Sequence, residues 1–231
     1  MSQITTLTFF RYEGLSAKIW AFGMMQFAHK RLATATGLSF YKLMGSGKGL
    51  GFNPLPDWST YALLQVWDSQ ADAEKFMDTS VLAAKFRSRA AEMWTVYMGS
   101  TMARGQWSGT TPFTAYEGQL GEQIAVITRA TIRPSKLYRF WKYVPTAQRP
   151  IASADGLLYT KGIGEVPVIQ MATFSIWKSK EHLEAYAYGS EEHRKAIAMT
   201  KKYDWYSEEM FSRFTVIKTV GTWSAMRATA E

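Results

Sequence analysis

The second half of this chain repeats the first, and that repeat limits the folds open to it more than any single motif does. Residues 16–22 (SAKIWAF) line up with residues 135–141 (SKLYRFW) at an offset of 119, and Gly37-Leu38 lines up with Gly156-Leu157 at the same offset. Residues 61–67 match residues 171–177 at an offset of 110, and Phe76 with Tyr186 and Ser80 with Ser190 carry that offset onward. Trp94-Thr95-Val96 lines up with Phe214-Thr215-Val216 at 120. The changing offset places nine extra residues in the first half, within LMGSGKGLGFNPLPDW, and ten in the second, around TKKYDWYSEEMFSRF. Insertions on a duplicated scaffold are where function tends to sit.

Each half reads strand, helix, strand, strand, helix, strand. The first strands are 6–12 and 124–132, and the first helices start near Ser16 and Pro134, a residue suited to a first helical turn. Short strands follow Gly37 and Gly156, and third strands end at Trp67 and Trp177. Ser69 and Ser179 stand where helix N-caps belong. The last strands hold residues 94–98 and 214–220. This order is the ferredoxin-like βαββαβ unit, an α+β class. Helices cover one face of such a sheet and leave the other bare, so two units can bury their bare faces against each other as a barrel. The expectation is a tandem pair: residues 1–105, a Gly/Thr/Ser-rich linker over 106–122 with Pro112, and residues 123–231.

Composition removes several functions. The chain of 231 residues has no cysteine, hence no disulfide, thiolate ligand or cysteine nucleophile. No apolar run reaches the roughly 18 residues of a membrane span, and the N-terminus lacks the marks of a secretory signal. A cytoplasmic location is expected. The net charge of +8 is spread evenly, as 11 − 7 over residues 1–115 and 16 − 12 over residues 116–231. Such a balance suits an anionic membrane surface as well as it suits a plain solvated surface. Nine Trp, twelve Tyr and thirteen Phe exceed what a core of this size needs, and a large apolar ligand cavity would use them.

Few residues carry recognisable chemistry. There are three histidines, His29, His182 and His193, with no HxH or HxxxH pair, which argues against zinc. His193 shares a helical stripe with Tyr186, Ser190 and Ile197. That spacing favours a packed histidine and leaves a ligand open. Haem iron needs only one axial histidine. Residues 44–51 (MGSGKGLG) miss the phosphate-loop pattern and read as a hairpin loop or a flap. Glu191-Glu192 and Glu208-Glu209 read as solvated helix residues. RFWKYV (139–144) interleaves aromatic and basic side chains without an RNA-recognition signature, so nucleic acid is not expected.

FFRYEG, WAFGMMQFA, FYKLMGSGKGLGF, ARGQWSG, RATIRP, GEVPVIQMATFSIW and WYSEEMFSRF, in that order over residues 7–223, resemble the spheroidene monooxygenases. These are the acyclic carotenoid 2-ketolases of purple phototrophic bacteria. The resemblance implies a dimeric α+β barrel, here within one chain, that binds haem b and uses O2. It implies two successive hydroxylations at C-2 of spheroidene or spirilloxanthin with electrons from reduced ferredoxin, the gem-diol losing water to give the ketone. It implies peripheral contact with the membrane that holds the substrate, for a monomer or homo-oligomer. Related haem-binding barrels carry the proximal histidine on a helix beside the sheet, which points to His193 in the second half. Its first-half counterpart is Ala83, so one haem per chain is expected. Arg194, Lys195, Lys201, Lys202 and Arg213 are candidates for the propionates, and Trp205, Tyr206, Phe211 and Phe214 for the pocket walls. Two rivals stay open: a haem-binding protein of this fold without turnover, and a haem-free ligand-binding barrel.

Overall fold

A computed structural model describes residues 2–50, 53–148, 151, 153–189, 198–200 and 202–224, residues 144–148 as backbone only. Runs of β-branched and aromatic residues form eight strands. In the first half these are β1 (Ile4–Arg11), β2 (Leu38–Gly47), β3 (Pro56–Trp67) and β4 (Glu92–Gly105). In the second they are β5 (Ile124–Ile132), β6 (Leu157–Val166), β7 (Gln170–Trp177) and β8 (Tyr206–Gly221). Every pairing is antiparallel, and the strands close into one barrel in the order β1-β3-β2-β6-β7-β5-β8-β4. Within each half the order is the same, β4-β1-β3-β2 and β8-β5-β7-β6. The two joints between halves differ. β4 and β8 pair along Trp94–Gly105, whereas β2 and β6 meet only at Gly45↔Gly164 and Ser46↔Ile163.

Alternate residues of each strand point inward and fill the barrel. Leu7, Phe9, Leu64, Trp94, Ile127 and Phe174 belong to this packed interior. The linker contributes to it as well. Trp107 and Phe113 are buried at one mouth, and the Trp107 indole N–H donates to Glu165 at 2.7 Å. Around that mouth Lys42 pairs with Glu165 at 2.6 Å, and the buried Arg129 pairs with Glu208 and, at 3.5 Å, with Glu165. A buried guanidinium is tolerable only with such partners. Trp223 packs on Phe9 and Trp94 at the other mouth.

The helices lie outside. In the first half they are α1 (Leu15–Phe27), α2 (His29–Leu32), α3 (Gln70–Thr79) and α4 (Val81–Arg89); in the second, α5 (Leu137–Gln148) and α6 (Lys180–Gly189). The Ser69 hydroxyl caps α3 by accepting from the Asp72 N–H at 3.2 Å. Where one helix was expected after Trp67 there are two. Ser80 is extended (φ −72°, ψ 129°), ends α3, and caps α4 by accepting from the Leu82 N–H at 3.1 Å. Ser179 precedes α6, but its hydroxyl meets the side chains of Glu181 and His182 instead of a backbone N–H.

Two sequence expectations need correction. The last strands are longer than expected, and their register is shifted. Ile124 faces Thr215, whereas the equivalent Ile4 stands opposite Gly99, next to the Thr5↔Met98 pair. Gly99 is therefore the counterpart of Thr215, at an offset of 116 rather than 120. Glu208-Glu209 also lies on β8 and not on a helix, with Glu208 in the ion-pair group at the barrel mouth.

Candidate cofactor site

The register makes the outward faces of the two half-sheets directly comparable. In the first half, three rows run across the strands toward the helices: Tyr97-Thr6-Gln65-Tyr41, Thr95-Thr8-Leu63-Leu43, and Met93-Phe10-Tyr61-Gly45. The same rows in the second half are Arg213-Val126-Ser175-Thr160, Phe211-Thr128-Thr173-Gly162, and Glu209-Ala130-Met171-Gly164. Over the middle of the sheet the second half is smaller position by position. Gln65 becomes Ser175, Tyr41 Thr160, Leu63 Thr173, Leu43 Gly162 and Phe10 Ala130. On the β8 edge the trend reverses, with Phe211 in place of Thr95.

Packing follows these substitutions. In the first half Phe10, Leu43, Tyr61 and Leu63 join Ala21, Met24, Leu82 and Phe86 of the helices in one apolar cluster. In the second half the corresponding layer is divided. One cluster holds Ile124, Val126, Trp177 and Leu183, with Tyr186 and Phe211 against it. The other holds Ile132, Phe140, Met171 and Trp205, with Tyr203 and Tyr206 against it. Between them lies a floor of Thr128, Thr173, Gly162 and Thr160. Three strands at about 4.8 Å spacing make that floor about 10 Å wide. Its margins carry buried polar atoms that have no hydrogen-bond partner among the described residues: the Thr160 hydroxyl, the Arg213 Nε and the Trp205 indole N–H. Both amide atoms of Gln65, in the equivalent row of the first half, are likewise buried without a partner among the described residues, so such atoms do not by themselves distinguish the second face.

The expected site residues distribute as follows. His193, Arg194, Lys195 and Lys201 lie outside the described residues. Arg213 projects from β8 beside the floor, 3.7 Å from the Glu184 carboxylate of α6. Phe211 lies one row along on the same strand. Trp205 and Tyr206 form the opposite margin, where Trp205 meets Phe140 edge-on and stacks on Tyr203. Burial holds the Tyr206 phenol above its ordinary pKa and pushes that of Tyr186 up to about 12, so both are neutral hydrogen-bonding groups. Lys202 lies over the Tyr203 ring. Phe214 is not a wall of this site. It points into the barrel and packs edge-on against Phe113. Of the other histidines, His29 is exposed beside the Tyr41 hydroxyl, and His182 bonds Ser179 at 2.9 Å. Among the described residues there is no group of three His, Cys, Asp or Glu that could hold a metal ion by itself.

Sequence reasoning missed the floor itself. It also missed the Lys42–Glu165–Arg129–Glu208 group, although an arginine amid the apolar strand IAVITRATI was a visible signal.

The chain is 34% identical over 223 residues to spheroidene monooxygenase of Rhodobacter capsulatus, covering 95% of this chain and 92% of that protein. The chain belongs to the spheroidene monooxygenase family. The family member of Cereibacter sphaeroides is 32% identical, covering 96% of this chain and 69% of that protein, and that of Rubrivivax gelatinosus is 31% identical, covering 92% and 82%. Membership in this family makes the chain a monooxygenase. No protein-family model matches it. Among solved structures, an aldoxime dehydratase superposes with a TM-score of 0.62 at 10% identity, covering 95% of this chain and 83% of that one. A second, the aldoxime dehydratase OxdRE with butyraldoxime, gives 0.60 at 9% identity, covering 93% and 79%. That likeness concerns the fold: an α+β protein built on an eight-stranded antiparallel barrel. Among the described residues no helix is long and apolar enough to cross a membrane.

Proposed function

We propose that this chain is a haem-dependent carotenoid monooxygenase whose cofactor lies on the outward face of the second half-sheet. It would place a C-2 keto group on an acyclic carotenoid such as spheroidene or spirilloxanthin, using O2 and reduced ferredoxin. The tandem ferredoxin-like reading accounts for the site's position, because it treats the second half as a copy of the first whose helix–sheet core has been opened. The observation that carries the proposal is that opening: five large side chains replaced by Ser175, Thr160, Thr173, Gly162 and Ala130 on adjoining strands.

The residues present fit a flat macrocycle. The floor is about 10 Å wide and carries only small side chains. Arg213 offers a guanidinium at one margin for a propionate, its Nε without a partner among the described residues. Trp205, Tyr206 and Phe211 supply aromatic edges. His193 is the candidate iron ligand. Its counterpart at the offset of 110 is Ala83, which is only 2% exposed and lies on α4 between Leu82 and Phe86 of the helix–sheet core. A neutral imidazole at such a position can hold iron through one nitrogen. Haem supplies the activation of O2 toward a C–H bond; the protein supplies its binding, its orientation and the exclusion of water. Apolar walls suit a long hydrocarbon substrate, and no charged side chain other than Arg213 and Glu209 stands in the three rows.

The test is turnover. Haem-loaded protein with O2, a ferredoxin reducing system and spheroidene is expected to yield the 2-hydroxy and then the 2-keto carotenoid. Absence of any oxygenated product, with electron delivery to the haem verified, refutes the proposal.

A further inference from the structure

α1 is apolar on both of its sides. Ala21 and Met24 are buried against the first half-sheet. On the opposite side Leu15, Ile19 and Phe22, spaced by four and three, are 75%, 62% and 58% exposed. A helix that is hydrophobic all round is normally covered on all sides. The exposed stripe continues onto the β2–β3 hairpin, where the ring of the half-exposed Trp58 lies edge-on to Phe22 at 5.5 Å and Leu55 is exposed. The patch is therefore made by two elements held in contact.

Charge selects the occupant. Residues 13–58, which include α1, α2 and the hairpin through Trp58, contain five Lys or Arg, of which Lys42 pairs with Glu165, and two acids, Glu13 and Asp57, which pair with Arg11 and Lys161. Lys18 is on α1, Lys30 and Arg31 follow on α2, and Lys48 is on the hairpin. The neighbouring α4 adds Lys85, Arg87 and Arg89, without an acid, and Arg89 lies over the Trp20 ring of α1. A second copy of this surface would be repelled by its own charge. An apolar stripe with an aromatic edge inside a basic rim matches the interface of an anionic bilayer, where apolar side chains enter the acyl boundary and cations meet the headgroups.

We infer that this face, α1 with the β2–β3 hairpin, docks the protein on anionic lipid surfaces. The inference rests on the surface alone and holds whatever reaction the second half performs. Flotation of the full chain tests it, with vesicles of phosphatidylcholine alone or of an equal mixture of phosphatidylcholine and phosphatidylglycerol. The wild type is expected to float with the mixed vesicles. Ile19→Glu/Phe22→Glu is expected to lower the partition coefficient at least tenfold with an unchanged melting temperature. Lys18→Glu/Lys48→Glu is expected to lower binding to the mixed vesicles and leave any binding to phosphatidylcholine as it was. Failure of the wild type to float overturns the inference, as does equal flotation of Ile19→Glu/Phe22→Glu. A wild-type dimer that this double variant turns into a monomer, with no flotation of either, would assign the face to a second copy instead.

Discussion

Refilling the floor of the second half-sheet with first-half side chains separates its role in binding from its role in folding. The variant is Gly162→Leu/Thr173→Leu, which copies Leu43 and Leu63 from the equivalent row. Gly162 is not among the residues with positive φ, so its backbone accepts a leucine. On the proposed assignment these two positions are unfilled in the cofactor-free protein, and each buried leucine is worth about 1.5–3 kcal/mol. The variant should therefore fold with a melting temperature equal to or above that of the wild type. With cofactor the same side chains would stand where the proposal places the ligand. Overpacking typically costs about 1–3 kcal/mol per site, so two sites weaken haem binding by roughly thirtyfold or more, at tenfold per 1.4 kcal/mol. The assay is titration of the cofactor-free protein with haem, followed by absorbance, beside a thermal melt. The mirror substitution Leu63→Thr is the control. It should cost about 3 kcal/mol, as large-to-small core changes do, lowering the melting temperature by roughly 6–12 °C without changing haem affinity. Unchanged haem uptake by the refilled variant would refute the assignment of this face.

Other parts of the structure give further expectations. Trp107 seals one barrel mouth from the linker, so Trp107→Ala should cost about 3–5 kcal/mol in urea unfolding while haem still binds the second half. At Glu208 burial acts upward, but donation from the Gly109 and Ser108 N–H groups and the charge of Arg129 outweigh it and hold the carboxyl below its ordinary pKa. A lowered carboxylate stabilises the fold above its unfolded-state pKa, about 4.3, and that contribution is lost as pH falls through the folded value. Stability should thus drop below about pH 4, and Glu208→Gln should flatten that drop in unfolding curves. Arg213→Ala should weaken haem binding measurably and leave the melting temperature of the cofactor-free protein within a few degrees; an unchanged affinity would remove Arg213 from the site.

The order of elements was legible because hydrophobic pattern and boundary residues recur from half to half. Gly37 and Gly156, Trp67 and Trp177, and Ser69 and Ser179 all mark the same points of each copy. The last strand was misaligned because Trp94-Thr95-Val96 and Phe214-Thr215-Val216 resemble each other more than the true counterparts do. The helix break at Ser80 needed the capping geometry, since residues 70–89 carry neither Gly nor Pro. The floor was partly legible. YKLMG and TKGIG stand at the same offset of 119, and the change from Leu43 to Gly162 is visible there. Its meaning required knowing that both positions face the helices and that Thr173 and Ala130 adjoin them across strands. Trp205 and Tyr206, both read as pocket walls, pack in one cluster at a margin of the floor, whereas alternation along β8 puts Phe214 inside the barrel. The docking face escaped a search for an amphipathic helix because α1 has two apolar sides and no polar one.

The most direct measurement is the absorption spectrum of the protein titrated with haem, compared between wild type and His193→Ala. The account predicts a Soret band that saturates at one haem per wild-type chain and is lost or much weakened in the variant, with both melting alike when cofactor-free. A wild type that refuses haem, or a His193→Ala protein that binds it with the same band and affinity, would contradict it.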